Sequence, residues 1–308
     1  MAAPPLAGKP LVQAAYRLLL QDSSMIALLF AGGLASGATF ALIALPAELV
    51  LGTSVSTSGS PVSIAVYAVA LFASTFVSTF FTGAVVAAAM MRADGQDPDV
   101  RSAMAVAWSR RGPLLAWAGF ATIVGLLLRM LERWGLAGAL VRMLAGVAWT
   151  LATWFAVPII IAEGTMPIET VQRSAQILKE RFGTNVRATV RLGLQWVLAM
   201  IGLVLLAAFG ALVLVTGTSR HQSAGVLLGV LIVVLAVVGL FLASAVWSAV
   251  GAYLRTMLYR YATGRPIPGI DPRVLPPLLP VAVRAPAYDA AGYPPPPGYG
   301  PPPTAPGF

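Results

Sequence analysis

The chain has no cysteine and only one histidine among its 308 residues. The missing cysteines exclude disulfides, thiolate nucleophiles and cysteine-based metal or cluster sites. The single histidine, His221, excludes an HExxH zinc site and any paired-histidine metal centre built from this chain alone. The phosphate-binding and nucleophile patterns GxGxxG, GxxxxGK and GxSxG are also missing. The sequence therefore implies no cofactor and no metal.

Charge is scarce as well, at 10% of residues against about 25% in ordinary soluble domains. Hydrophobic residues make up 58% of the chain and fall into runs of twenty or more. A helix of about 20 residues, each rising 1.5 Å, spans a hydrocarbon core of about 30 Å. The composition therefore predicts an all-α fold, a polytopic membrane bundle.

We predict three regions along the chain. Residues 1–24 are a cytoplasmic arm with an amphipathic helix, residues 25–262 are a six-span membrane domain, and residues 263–308 are a disordered tail rich in Pro, Gly and Tyr. The spans are expected at about 25–45, 63–91, 114–131, 139–162, 192–215 and 225–250. Pro158 is expected to kink the fourth span.

The basic residues predict the orientation of the spans. Of the 20 Lys and Arg residues, 16 fall in the N-terminal arm, in every second connection and after the sixth span, and 4 fall in the alternate connections. By the positive-inside rule both termini are cytoplasmic. The net charge of +9 is read as this orientation signal, and no nucleic-acid partner is predicted. The excess of Arg over Lys in an Ala-, Gly- and Pro-rich chain is typical of a GC-rich bacterial genome, which predicts a bacterial cell membrane.

Two charged segments, 92–112 and 162–183, interrupt the apolar runs with a shared outline of Ala, an acidic residue and Gly, then Pro, then Arg-Ser-Ala. Each precedes a pair of spans, as does the N-terminal arm. One interpretation is therefore a threefold repeat of surface helix plus hairpin. The alternative is that membrane hairpin proteins commonly have amphipathic linkers.

Both charged segments are predicted to form amphipathic helices in the inner membrane interface, with Trp108 and Phe182 as anchors. Asp97 is expected to cap the first of them, with Pro98 at its first helical position and Gly112 ending it. The apolar stripes are Val100, Met104, Ala107 and Trp108 in the first helix and Ile168, Val171, Ala175, Leu178 and Phe182 in the second.

A polar ladder on one face of the second span is the first candidate site. It consists of Ser74, Thr75, Ser78, Thr79 and Thr82. Spaced hydroxyls in lipid either form hydrogen bonds between helices or line a path, and we expect packing. The GxxxG patterns at Gly33/Gly37 and Gly225/Gly229 are consistent with close helix contact, and a homo-oligomer is left open.

A charge cluster at the outer ends of the third and fourth spans is the second candidate site. It consists of Arg129, Glu132, Arg133 and Arg142. Contact with anionic headgroups and a gate are the functional interpretations, and snorkelling anchors are the expected one. The acidic group Asp94, Asp97 and Asp99 is interpreted as helix capping and charge balance for Arg92 and Arg101, with a cation site as the alternative.

The segments STFFTGAVVAAAMMRADGQDP, AWSRRGPLLAWAGFATIVGLLLRMLERWG and ATWFAVPIIIAEGTMPIETVQRSAQILKERFG resemble a family of bacterial integral membrane proteins catalogued as a domain of unknown function. The resemblance covers about residues 10–262. It implies the fold and the membrane location and carries no activity or site.

The sequence favours a non-enzymatic structural, lipid-organising or interaction protein. A small-molecule or lipid transporter is the alternative, and an intramembrane enzyme comes third. The lipid bilayer is the expected partner, and the Pro-rich tail, with tyrosines beside its proline runs, leaves open a cytoplasmic partner with an aromatic groove.

The absence of native cysteine allows a direct test of the predicted orientation. Single cysteines at Ser58 and Ser219 should react with an impermeant thiol reagent in intact cells, because both lie in predicted outer loops. A cysteine at Ser102 should stay unlabelled until the membrane is opened. Labelling of Ser102 in intact cells would overturn the six-span topology.

Overall fold

The computed structural model describes residues 23–52, 54, 60–131, 135–179, 187–219 and 223–265, with the backbone alone at 23, 135–137, 139 and 187–199. These residues form nine helices and no strand, which confirms the all-α prediction. The helices are α1 (Ser23–Leu51), α2 (Pro61–Ala93), α3 (Val100–Ser109), α4 (Arg111–Met130), α5 (Gly135–Ala152), α6 (Ala156–Glu163), α7 (Pro167–Ile177), α8 (Arg187–Ser219) and α9 (Ser223–Ala262). Most of the predicted arm, and the tail beyond Arg265, lie outside the described residues.

Six helical stretches of the described chain are long and apolar enough to cross a membrane, as predicted. They are Ser24–Leu51, Pro61–Ala93, Arg111–Met130, Leu140–Glu163, Met200–Ser219 and Ser223–Ala262. Two of them outrun the prediction. The first continues through Pro46 to Leu51, and the last continues well past residue 250 because Tyr253 and Met257 are buried against the protein. The chain is a multi-pass membrane protein.

The fourth span is broken between α5 and α6. Pro158 has no amide hydrogen to donate to the carbonyl of Trp154, and the helix opens into a turn over 153–155. The backbone N–H of Phe155 instead donates to the hydroxyl of Ser174 on α7, at 3.1 Å. The predicted kink is therefore present, and α7 supports it.

Helix α2 is the central element, since it packs against α1, α3, α4, α6 and α9. Its final turns, from Gly83 to Met90, are buried on every side, whereas Val62 and Val69 in its first turns are more than half exposed. The first, third, fourth and last spans follow the same trend. The protein core therefore lies at the end of the bundle where α2, α6 and α9 terminate, and the far end presents large apolar side chains outward, as a lipid-facing surface does.

Helices α8 and α9 form a hairpin whose close contact depends on glycine. A Cβ on Gly229 would lie 2.5 Å from the backbone nitrogen of Leu214, and one on Gly217 would lie 2.7 Å from the backbone of Gly225. The Gly225/Gly229 pattern therefore brings two helices together, as predicted. The Gly33/Gly37 pattern does not, because a Cβ at either position would meet nothing within 4 Å.

These two patterns provide a matched pair of substitutions. Gly229→Ala should destabilise the protein by roughly 1–3 kcal/mol, because the added methyl group forces α8 and α9 apart. Gly33→Ala should be neutral or slightly stabilising, since it adds helix propensity in open space. Thermal unfolding in mild detergent, followed by circular dichroism, measures both changes. Equal effects from the two variants would contradict the packing described for the hairpin.

Candidate functional site

Ionisable side chains from three spans and one surface helix meet where α2, α6 and α9 end. They are Asp94, Glu163, Arg173, Tyr259 and Arg260, and we call this group the collar. The acidic members come from the ends of α2 and α6, and Tyr259 and Arg260 come from the last turn of α9. Arg173 comes from α7.

The innermost contact of the collar is an ion pair between α9 and α2. Nη1 of Arg260 lies 2.7 Å from Oδ1 of Asp94, and the two side chains are 2% and 9% exposed. Nη2 of Arg260 also donates to the carbonyl of Ala93, at 3.4 Å. A buried guanidinium is stable only when its charge and N–H groups are matched in this way, so α9 is tied to the end of α2.

The second acidic residue, Glu163, is held by α9 and α7 together. The hydroxyl of Tyr259 donates to Oε1 of Glu163 at 2.7 Å, and Nε of Arg173 lies 3.6 Å from the same oxygen. Neighbouring residues on a helix point about 100° apart. Tyr259 and Arg260 therefore reach in different directions, and one turn of α9 binds the ends of both α2 and α6.

All three spans end in Ala-x-Gly, at 93–95, 162–164 and 262–264, with the glycine at positive φ. The φ values are 79°, 69° and 74° for Gly95, Gly164 and Gly264, a conformation that glycine adopts at little cost. The turns after α2 and α9 are closed by the six-residue hydrogen bond of a Schellman motif. These turns leave the alanine buried and the middle residue at the helix end.

The shared outline of the two charged segments now has a structural role. Its acidic positions, Asp94 and Glu163, are the two carboxylates that α9 binds. The third copy of the turn, with Thr263 in place of the acid, was not predicted. The sequence does contain the pattern, as Ala-Thr-Gly after a helical turn of aromatic and basic residues. It was overlooked because the sixth span was predicted to end near residue 250.

The predicted cap of the first surface helix is wrong by two residues. Asp99 caps α3, accepting from the backbone N–H of Ser102 at 2.8 Å while its own N–H donates to the Ser102 hydroxyl. The hydrogen bonds from Ser102 hold the pKa of Asp99 below its usual value. Asp97 instead pairs with Arg92 at 2.7 Å. With Asp94 in the collar, the three carboxylates have separate partners and do not converge on a cation.

Helix α3 also ends earlier than predicted. It stops at Ser109, and Gly112 lies in the first turn of α4. Of its stripe, Val100, Met104 and Ala107 pack on the protein core, whereas Trp108 is 57% exposed. The Trp108 ring contacts Phe80 edge-on, with ring centroids 6.1 Å apart. The exposure of Trp108 is compatible with its predicted role as a surface anchor. The other residues of the stripe pack against the protein.

Helix α7 has three distinct sides. One side is buried in the protein through Thr170, Ser174 and Ile177. A second side is exposed and polar, with Glu169 as an example. The third side carries the predicted apolar stripe, in which Ile168 is 67% exposed and Val171, Ala175 and Leu178 are half-buried. Phe182, the last member of that stripe, lies outside the described residues.

The five residues of the polar ladder on α2 differ in their surroundings. Ser74 donates to the carbonyl of Leu71 at 3.1 Å, and its own carbonyl accepts from the Ser36 hydroxyl of α1 at 2.9 Å. Thr75 and Thr79 are half-buried.

The remaining ladder residues, Ser78 and Thr82, line a groove of about 150 Å³ together with Ser244 and Ser248 of α9. All three serines of this groove are exposed at the perimeter of the bundle. The hydroxyls therefore line a lateral groove between α1, α2 and α9.

The predicted outer charge cluster is only partly described. Arg129 places its guanidinium carbon 4.4 Å from the centroid of the Tyr67 ring, which joins α4 to α2. Arg142 lies on α5, beside a shallow open groove. Glu132 and Arg133 lie outside the described residues, so the pairing of Arg129 with Glu132 stays a prediction.

One arginine near the collar was overlooked in the sequence. Arg255 lies one turn before Tyr259 on α9, with its guanidinium carbon 5.0 Å from the centroid of the Trp154 ring. Its Nε is buried and has no hydrogen-bond partner in the described part of the chain. In the sequence, Arg255 counted only as one of the basic residues that predict the orientation of the spans.

A family model described as a family of unknown function (DUF6159) matches residues 60–266, which include every collar residue. No curated protein and no solved structure matches the chain significantly. The match begins after α1, whereas the resemblance was expected to start near residue 10.

Proposed function

The chain belongs to the DUF6159 family of unknown function, and we propose that it is a non-enzymatic membrane protein that organises phospholipid around the collar. In this proposal the collar faces the cytoplasm of a bacterial cell, and helices α3 and α7 lie in the headgroup layer. The observation that carries it is the exposed apolar side chains on α3 and α7, the helices that follow the turns of Asp94 and Glu163. Trp108 and Ile168 are both more than half exposed.

The shape of α7 supports a position in the membrane interface. In water alone, α7 would be destabilised by the exposure of Ile168. Within the hydrocarbon, it would be destabilised more strongly by the burial of Glu169. Its three sides suit three surroundings, namely protein, lipid and water. The exposed Trp108 supports a position in the membrane interface for α3 as well, because tryptophan concentrates at membrane–water interfaces.

The lengths of the spans support a collar at the membrane surface. Helix α9 has 40 residues and is therefore about 60 Å long, against a hydrocarbon core of about 30 Å. Its last turns extend beyond the lipid tails unless it is strongly tilted. The collar residues also bind one another, as a structural assembly does. These features favour a fixed platform over a catalytic centre.

A transporter is the second candidate, and one observation favours it. Ser78 and Thr82 of α2 share a groove with Ser244 and Ser248 of α9, so hydroxyls of two spans face one space at membrane depth. A conduit needs such residues on several helices. The groove lies at the perimeter of the bundle, where a lipid has access, and this position favours lipid contact over transport of a water-soluble solute.

Two further contacts belong to the proposal. The open face around Gly33 and Gly37 suits a second copy of the chain, because nothing described lies within 4 Å of either added Cβ. The Pro-rich tail, which lies outside the described residues, is proposed to dock a cytoplasmic partner through an extended proline helix.

The lipid-organising proposal predicts a loss of motionally restricted lipid on polar substitution beside the collar. In reconstituted vesicles, electron paramagnetic resonance of a nitroxide phospholipid separates lipid held at the protein from bulk lipid. The double variant Trp108→Ser/Ile168→Ser should lose at least about a third of the restricted fraction, because the apolar contact with lipid is removed.

The matched control is Leu49→Ser/Val50→Ser, at the far end of α1, where both side chains are more than four-fifths exposed. It should leave the signal of a headgroup-proximal label at the collar face unchanged. An equal loss in both variants would contradict a specific lipid contact. Substrate-dependent solute efflux from the same vesicles, abolished by Ser78→Leu, would replace the proposal by the transporter.

A further inference from the structure

Arg255 differs from the other arginines of this end of the bundle. Arg260 is paired with Asp94, Arg173 with Glu163 and Arg92 with Asp97. Arg110 donates through Nε to the carbonyl of Ile161, at 3.3 Å. Among the described residues, Nε of Arg255 has no hydrogen-bond partner, and the guanidinium lies over the Trp154 ring.

The position of Arg255 makes this lack of partner costly. It lies inside the last apolar span, and a charged residue there is normally paired or serves a function. The collar carboxylates already have partners: Arg260 binds Asp94, and Tyr259 and Arg173 bind Glu163. The buried Nε forms no hydrogen bond that would offset its desolvation. The described residues therefore offer Arg255 no carboxylate as a partner.

The Arg255 guanidinium borders open space at Gly251. Nη2 lies 3.7 Å from the place of a Cβ on Gly251. Apart from the residues next to Gly251 and the backbone of α9, no other described atom comes within 4 Å of that point. The contact with the Trp154 ring fixes the side chain and does not use up its N–H groups.

We propose that Arg255, positioned by Trp154, binds the negatively charged phosphate of a phospholipid headgroup. A guanidinium offers paired N–H donors that match two phosphate oxygens. The lipid is favoured as the source of the phosphate because Arg255 and Trp154 both belong to membrane spans. This inference rests on the proposed lipid-organising function and names its ligand.

The test titrates the full chain in mild detergent with phosphatidylglycerol, phosphatidylcholine and inorganic phosphate, and follows binding by thermal shift. Wild-type protein should bind phosphatidylglycerol most tightly. Arg255→Gln should weaken that binding about tenfold or more, since it removes a charge-assisted contact. Arg255→Lys keeps the charge without the paired donors and should fall between the two.

The control is Arg273→Gln, which removes the same charge from the Pro-rich tail, outside the described residues and outside both proposed lipid contacts. It should change the affinity less than twofold. Unchanged binding by Arg255→Gln, or an equal loss in Arg273→Gln, would overturn the site. If Arg255→Gln does not fold, wild-type affinity in Arg255→Lys would overturn the paired-donor contact.

The remaining outcomes separate the sources of phosphate and the two proposals. Stabilisation by inorganic phosphate that depends on Arg255, without preference for phosphatidylglycerol, would overturn the assignment to lipid and support a soluble phosphate. If restricted lipid depends on Trp108 and Ile168 while phosphatidylglycerol binding ignores Arg255, this inference fails and the proposed function stands. If phosphatidylglycerol binding depends on Arg255 while restricted lipid does not depend on Trp108 and Ile168, the proposed function fails and the Arg255 site stands.

Discussion

The buried ion pair of Arg260 and Asp94 is the contact on which this end of the bundle depends. Two charges with 2% and 9% exposure cannot be left alone in a protein interior, so neither α2 nor α9 can move without the other. Because Tyr259 precedes Arg260 on the same turn, the position that satisfies the ion pair also brings a donor to Glu163. The ends of α2, α6 and α9 are thereby fixed by one turn of helix.

This constraint explains why order is concentrated at one end. The final turns of α2 are enclosed by protein, whereas its first turns and the neighbouring spans present apolar side chains outward. Membrane helices gain little from burying apolar groups against each other, because lipid is an equally good solvent for them. Ionic contacts, hydrogen bonds and glycine contacts such as Gly229 with Leu214 therefore hold the bundle together.

The sequence was sufficient for the spans, since long apolar runs have few alternatives in a chain this poor in charge. It also marked Asp94 and Glu163 through the repeated Ala-acid-Gly outline. Their partners were not predictable, because Tyr259 and Arg260 lie far along the chain and only packing brings them near. The cap failed for a local reason: Asp97 and Asp99 both precede α3, and the pairing of Asp97 with Arg92 decides between them. The surroundings of the ladder could not be predicted either, because they depend on how α1 and α9 pack beside α2.

A double-mutant cycle across the ion pair tests this account most directly. Unfolding free energies would be measured in detergent for Asp94→Leu, Arg260→Met and the double variant. Each single change should cost about 3–5 kcal/mol, because it leaves one buried charge without its partner, and the double variant should regain most of that loss. Additive losses, or single losses below about 1 kcal/mol, would contradict the claim that this pair holds the collar together.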